Sequence, residues 1–222
     1  MSVLTVDLTI QLETALRIGA GGSAGTLANT SIVRDGWGRP IIPGSQVKGK
    51  LRCAAEQLLR GVGHAVPFPN DLDTGSLIQD LFGSATRRAA LRFADLPSTL
   101  VDAPQAPEFQ RRLTQIRPSV SINRRRGTAE DARLLYQEVA HEGMAFQHQR
   151  AIIGAFDEVA AVRRSAALLA AAIQLTDRWG GAKSRGLGWA RADVRLWVDD
   201  TPLPLADLAD DLRAVLTAGG LR

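Results

Sequence analysis

Residues 3–12, VLTVDLTIQL, alternate apolar and polar side chains, without a break from Leu4 onward. A period of two over that length describes a strand with one buried and one wet face, and such a strand needs neighbouring strands and a cover for its apolar side. Two stretches of helical period can supply the cover. The first runs from Ser45, an expected N-cap, to Arg60, with Val47, Leu51, Ala54, Ala55 and Leu58 as its buried stripe. The second is DEVAAVRRSAALLAAAIQL, 157–175. Further strands are predicted at SIVRD and RPIIPGS around the turn DGWG, at LRFADL (91–96), at IRPSVSI (116–122), from Leu134 to Ile153, and at LGWARADVRLWV. Residues 61–90 read as irregular, 97–110 as a proline-bearing loop, NRRRGTAEDAR as a polar basic connection, and the tail from Pro204 as a weaker helix. The order strand, helix, strands, helix, strand predicts an α+β chain. Its core would be ferredoxin-like or RRM-like, a single domain over 1–222 with insertions at about 61–90 and 97–135.

The net charge of +4 permits nucleic acid as a partner without requiring it. Aromatic residues are only 5% of the chain, which argues against a broad base-stacking surface. Of 27 basic residues three are lysine, Lys48, Lys50 and Lys183, and all lie in glycine-containing turns, PGSQVKGK and GGAKSRG. The lone cysteine, Cys53, excludes a disulfide framework and a cysteine metal cluster, so a reducing, cytoplasmic setting is expected. The N-terminus does not read as a signal peptide, and the longest apolar run, AALLAAAI, is too short to span a bilayer.

GGAKSRGLG, 180–188, is open to two readings. Glycines let backbone N–H groups approach a phosphate while Lys183, Ser184 and Arg185 add charge and a hydroxyl; equally, the stretch is a loop with a solvated basic tip. PGSQVKGKLR offers Ser45, Lys48, Lys50 and Arg52 around a helix start, against the alternative of an ordinary capped helix with exposed cations. GAGGSAG, 19–25, is no dinucleotide loop, because it precedes a short strand pair and not a helix.

Taken together, LRIGAGGS, IVRDGWGRPIIPGSQVKGKLR, LFG with LRFADL, PSVSINRRRGTAEDARLLYQEVAHEGMAF and GGAKSRGLGWARADV span most of the chain. In combination they resemble the RAMP superfamily, and within it the backbone subunits of type III CRISPR effector complexes. The resemblance implies a filament of copies on a CRISPR RNA, complementary target RNA and other subunits of the complex as partners, and no membrane. It implies a long glycine-rich loop and an inserted thumb hairpin, formed or entered by NRRRGTAEDAR, with Arg124, Arg125 and Arg126 near the guide–target duplex. Without the resemblance those arginines read as a solvated tip. A guide held irrespective of sequence calls for phosphate and sugar contacts, which short basic turns provide.

In many such subunits a loop aspartate supports metal-dependent cleavage of target RNA. Aligned on Arg34 and Asp35, that position here is Asn29, which lacks a carboxylate to act as base or hard-cation ligand. The expectation is a subunit that binds target without cutting it, needing no cofactor for binding, and Mg²⁺ only if active. Two alternatives stay open: a Mg²⁺-dependent endoribonuclease cutting target RNA at regular intervals, with Asp35 as the fallback acid, and a CRISPR RNA-processing endoribonuclease. For the second, His141 and His148 lie seven apart in one predicted strand and His64 stands alone in a loop, so no pair has convincing spacing. Asp35 also reads as a loop-orienting residue pairing with Arg34 or Arg39.

Overall fold

The computed structural model describes residues 1–20, 30–68, 70–71, 75–100 and 113–217. Strand β1 (Ser2–Leu12) buries Leu4, Val6, Leu8, Ile10 and Leu12 and leaves Thr5, Asp7, Thr9 and Gln11 on its open face, as the alternation demands. It lies in the middle of a fully antiparallel sheet, between β7 (Met144–Phe156) and β8 (Ala190–Val198). The far side of β7 pairs with β3 (Leu91–Phe93) and β4 (Leu96–Leu100) end to end, and β2 (Ile41–Ile42) and β9 (Thr201–Leu203) extend the two edges. Helix α1 (Gly44–Gly61) follows β1, and α3 (Val159–Leu175) joins β7 to β8; both sit on the apolar face. The strand order β3/β4–β7–β1–β8, with this connectivity, is the ferredoxin-like arrangement. Val47 and Leu51 of α1, Ala166, Leu169 and Ile173 of α3, and Phe82 meet Leu4, Val6, Leu8 and Ile10 in one core. Each fully buried Leu, Ile or Phe there contributes about 1.5–3 kcal/mol.

Several expectations need correcting. The N-cap of α1 is Pro43, not Ser45; no side chain caps it, and the Gly44 N–H donates instead to Asp95 Oδ1 at 2.7 Å. The stripe of α1 ends on Leu59, which is buried, while Leu58 is half-exposed, because the buried row follows steps of four from Val47 through Leu51 and Ala55. The irregular 61–90 stretch contains α2 (Leu77–Phe82), capped by the Ser76 hydroxyl, which accepts from the Gln79 N–H. LRFADL is not one strand: it breaks at Ala94 and Asp95, freeing Asp95 to bind the start of α1, and β4 runs on through Pro97 into the predicted loop.

The reading of 134–153 as one strand is wrong as well. A turn at 142–143 divides it, and the earlier part belongs to β6 (Thr128–Ala140), which pairs with β5 (Thr114–Asn123) in a two-stranded ribbon apart from the main sheet. NRRRGTAEDAR is therefore a hairpin tip and the start of its return strand. The hairpin inserted between β4 and β7 matches the expected thumb. Isolated bridges Gly19 to Ile32 and Arg34 to Pro40 replace the predicted SIVRD strand. A one-turn helix at Lys183–Arg185, another at Leu205–Leu208, and α4 (Ala209–Thr217) complete the described chain.

Candidate nucleic-acid interface

The glycine-rich loop between α3 and β8 is built on a buried tryptophan. Trp179 is fully buried; its N–H donates to the Gly188 carbonyl at 2.8 Å, and the Gly188 N–H donates to the Ala15 carbonyl at 2.9 Å. A Cβ on Gly188 would run into the Trp179 carbonyl, and one on Gly180 into the Arg17 carbonyl. The two residues also have φ of +81° and +68°, so glycine is demanded twice over. These two glycines serve backbone crossing within the fold. What the crossing achieves is to present Lys183, Ser184 and Arg185, all exposed, in one tight turn.

Lys183 thereby meets α1. Its ammonium lies near enough to act on that of Lys50. The expected turn PGSQVKGK proves to be the first part of α1, and the fold joins it to the Lys183 turn, 133 residues away in sequence. Burial first, and then the hydrogen bond and repulsion from Lys183, push the Lys50 ammonium down from its ordinary 10.5 to about 8; Cys53 and Asp177 oppose the shift. Two cations held together from separate elements form a site that an anionic oxygen group between them would relieve. Lys48, half-buried two residues earlier, and Arg185 make no ion pair among the described residues. Arg52 faces elsewhere: Nε donates to Glu56 at 2.8 Å and Nη1 to the Gly83 carbonyl at 3.0 Å, clamping α1 to the end of α2. Those bonds tie Arg52 into the fold, unlike the neighbouring lysines.

The hairpin is rooted beside this loop. Val139 packs with Ala15 and Leu187, and Ala140 exchanges hydrogen bonds with Leu16 at 2.8 and 3.1 Å. Glu138, which sequence reasoning missed, is its anchor. Its carboxylate accepts the Ile32 N–H at 3.0 Å and the Thr114 hydroxyl at 2.7 Å and pairs with Arg34, which also donates to Thr114 Oγ1 at 2.9 Å. Burial raises the Glu138 pKa, but those three partners outweigh it and hold the carboxyl below its ordinary value. The only signal in the sequence is one acid inside the mostly apolar run LLYQEVA. At the far end, roughly 30 Å along a ten-residue strand, Asn123 Oδ1 accepts the Arg125 and Arg126 N–H groups at 3.0 Å each and shapes the tip. Arg124 to Arg126 are thus presented far from the lysine pair, not beside it.

A family model of the RAMP superfamily matches residues 9–191. The chain belongs to the RAMP superfamily. A comparison with curated proteins finds no match. Membership implies a CRISPR-associated, RNA-binding role for this RAMP protein. Both the lysine pair and the rooted hairpin fall inside the matched span.

Asn29, at the expected acid position, lies outside the described residues. Asp35 does not pair with Arg34; it accepts the Trp37 N–H at 3.0 Å, the Arg39 N–H at 2.8 Å and Arg39 Nε at 2.8 Å. Burial raises its pKa and these donors lower it further, to a net value below the ordinary one. A carboxylate so occupied has little capacity left for a metal, and among the described residues no group of three His, Cys, Asp or Glu is placed to hold one. The histidines of this RAMP protein do not assemble either. His64 Nε2 contacts the Leu216 carbonyl at 2.9 Å, and the 142–143 turn separates His141 from His148, so the two do not share the strand predicted for them. Among the described residues no helix is long and apolar enough to cross a membrane.

Proposed function

We propose that this RAMP protein is a backbone subunit of a type III CRISPR effector complex. It assembles as a filament on CRISPR RNA alongside other subunits and binds complementary target RNA without cleaving it. The observation that carries the RNA reading is the approach of Lys183 to Lys50: the fold brings two of the chain's three lysines near enough for repulsion to depress the Lys50 ammonium, an arrangement that a backbone phosphate would stabilise. Lys48, Ser45, Ser184 and Arg185 flank the pair as further phosphate and sugar contacts, and the Arg124–Arg126 tip reaches for the duplex. Phosphate contacts suit a guide of any sequence.

The second reading, a Mg²⁺-dependent endoribonuclease, is favoured only by the family resemblance; Asn29 and the occupied Asp35 speak against it. The test uses the reconstituted complex with its guide, labelled complementary RNA and Mg²⁺, any other nuclease subunit being inactivated. Binding without cuts in the wild type, and cuts at regular intervals in Asn29→Asp, are expected. Regular cuts by the wild type would place the acid elsewhere, and no retention of guide by the chain would remove the whole proposal.

A further inference from the structure

The turn at 35–38 carries a tryptophan in an unusual setting. Trp37 is 84% exposed, yet the backbone around it is held by several hydrogen bonds. Asp35 accepts from the N–H groups of Trp37, Gly38 and Arg39, the Asp35 N–H donates back to the Arg39 carbonyl at 2.9 Å, and Arg34 Nη1 donates to the Gly38 carbonyl at 2.7 Å. The Arg39 guanidinium, itself fixed by Asp35 Oδ2, lies 5.3 Å from the indole centroid. The bracing fixes the position of an exposed indole with one face against the Arg39 guanidinium and the other turned to solvent.

We propose that Trp37 is a stacking platform for one unpaired base of the bound RNA. The inference rests on the RNA-binding reading above and adds to it a contact of different chemistry. Three features favour a base over a protein partner. Aromatic anchors of protein interfaces are ringed by further contacts that exclude water, whereas Trp37 is flanked by Asp35, Gly36, Gly38 and Arg39. Gly36 and Gly38 carry no side chains beside the 84%-exposed ring, so its face away from the Arg39 guanidinium is open to a disc-shaped ligand. The charges of the turn are also balanced, Arg34 by Glu138 and Arg39 by Asp35, so the ring itself and not an excess of cations is what the turn offers. Stacking accepts any base and so suits a guide of arbitrary sequence, at one base per subunit. The low aromatic content excludes a broad stacking surface and is compatible with a single ring.

The experiment titrates the purified full-length chain with a single-stranded RNA and with a matched oligonucleotide bearing abasic sites, following tryptophan emission and affinity together. Trp37 is the exposed emitter: Trp179 is fully buried, Trp189 lies under the Arg178 guanidinium at 3.7 Å, and Trp197 is half-buried. The expected result is quenching by base-bearing RNA and not, at equal occupancy, by the abasic strand. Trp37→Ala should weaken base-bearing RNA about ten-fold, leave abasic RNA unchanged, and be largely rescued by Trp37→Phe. RNA binding that remains sensitive to Lys50→Gln but leaves Trp37 emission and Trp37→Ala affinity unchanged overturns the platform and spares the RNA reading. Emission that changes with protein concentration alone assigns Trp37 to a protein contact and also overturns it. A chain that binds no RNA at all removes the proposed function first.

Discussion

If a phosphate sits between Lys50 and Lys183, RNA binding must take up a proton. Free Lys50 titrates at about 8, so at pH 9.5 only a few per cent of it is protonated. An anion between the two ammonium groups reverses the shift and restores a pKa near or above the ordinary 10.5. Linkage then lowers affinity with rising pH, beginning near pH 8 and ending near the bound-state pKa. Between pH 7.5 and 9.5 the full shift corresponds to a loss of about twenty-fold; Lys50 is only half-buried, and solvent screening brings the expected loss to about ten-fold. The perturbation is pH at fixed ionic strength, read by anisotropy of labelled single-stranded RNA for wild type, Lys50→Gln and Lys183→Ala. Lys50→Gln should bind more weakly at pH 7.5 and show a nearly flat profile, which also subtracts the titration of other groups. In Lys183→Ala the weakening should begin at higher pH, because the repulsion is gone. Calorimetry in two buffers of different ionisation enthalpy should show proton uptake at pH 8.5 in wild type only. The sign for the free protein is opposite: a lysine depressed in the folded state destabilises it at pH below 8, so stability should recover as pH rises from about 8 toward 10.5. A wild-type binding profile as flat as that of Lys50→Gln would refute the bridged phosphate.

Glu138→Ala should destabilise the protein by about 2 kcal/mol, since it leaves the Ile32 N–H without its partner and takes from Arg34 its carboxylate, though Arg34 keeps Thr114 and the Gly38 carbonyl; thermal unfolding measures it. The carboxylate's own contribution is complete above pH 4.5 and disappears as pH falls below that value, so wild type and variant should converge in acid. Gly188→Ala should displace the lysine turn by forcing the chain off the Trp179 carbonyl, weakening RNA binding several-fold at pH 7.5 and lowering stability by at least about 1 kcal/mol in denaturant melts. Arg124, Arg125 and Arg126 each changed to Ala should lower the salt slope of target-duplex binding by about one for every phosphate the tip no longer neutralises, with little effect on melting temperature because the tip is exposed.

The period-two pattern of residues 3–12, the helical stripes of α1 and α3, and their order along the chain were enough to specify the ferredoxin-like core. These are local regularities, and burying one face of each leaves few solutions. The existence of a hairpin at NRRRGTAEDAR and the lysine turn at 180–188 were legible too, the hairpin through family resemblance, whereas the segment of Lys48 and Lys50, expected as a turn, is helical. Local pattern failed where a partner distant in sequence set the outcome. LRFADL broke because Asp95 is needed at the start of α1, and the predicted strand through 134–153 divided because β6 pairs away from the main sheet. Arg52 looks like Lys48 and Lys50 in sequence, but Glu56 and Gly83 draw it inward.

Residue type and spacing thus determined the core, the glycine-rich basic turn at 180–188 and the family, because periodicity and glycine placement are properties of the chain. The approach of Lys183 to Lys50 and the anchoring of the hairpin by Glu138 were decided only when segments far apart in sequence closed onto one another. Coulomb repulsion, charge-assisted hydrogen bonds and ring exposure depend on distances of a few ångströms, and no one-dimensional pattern contains those distances.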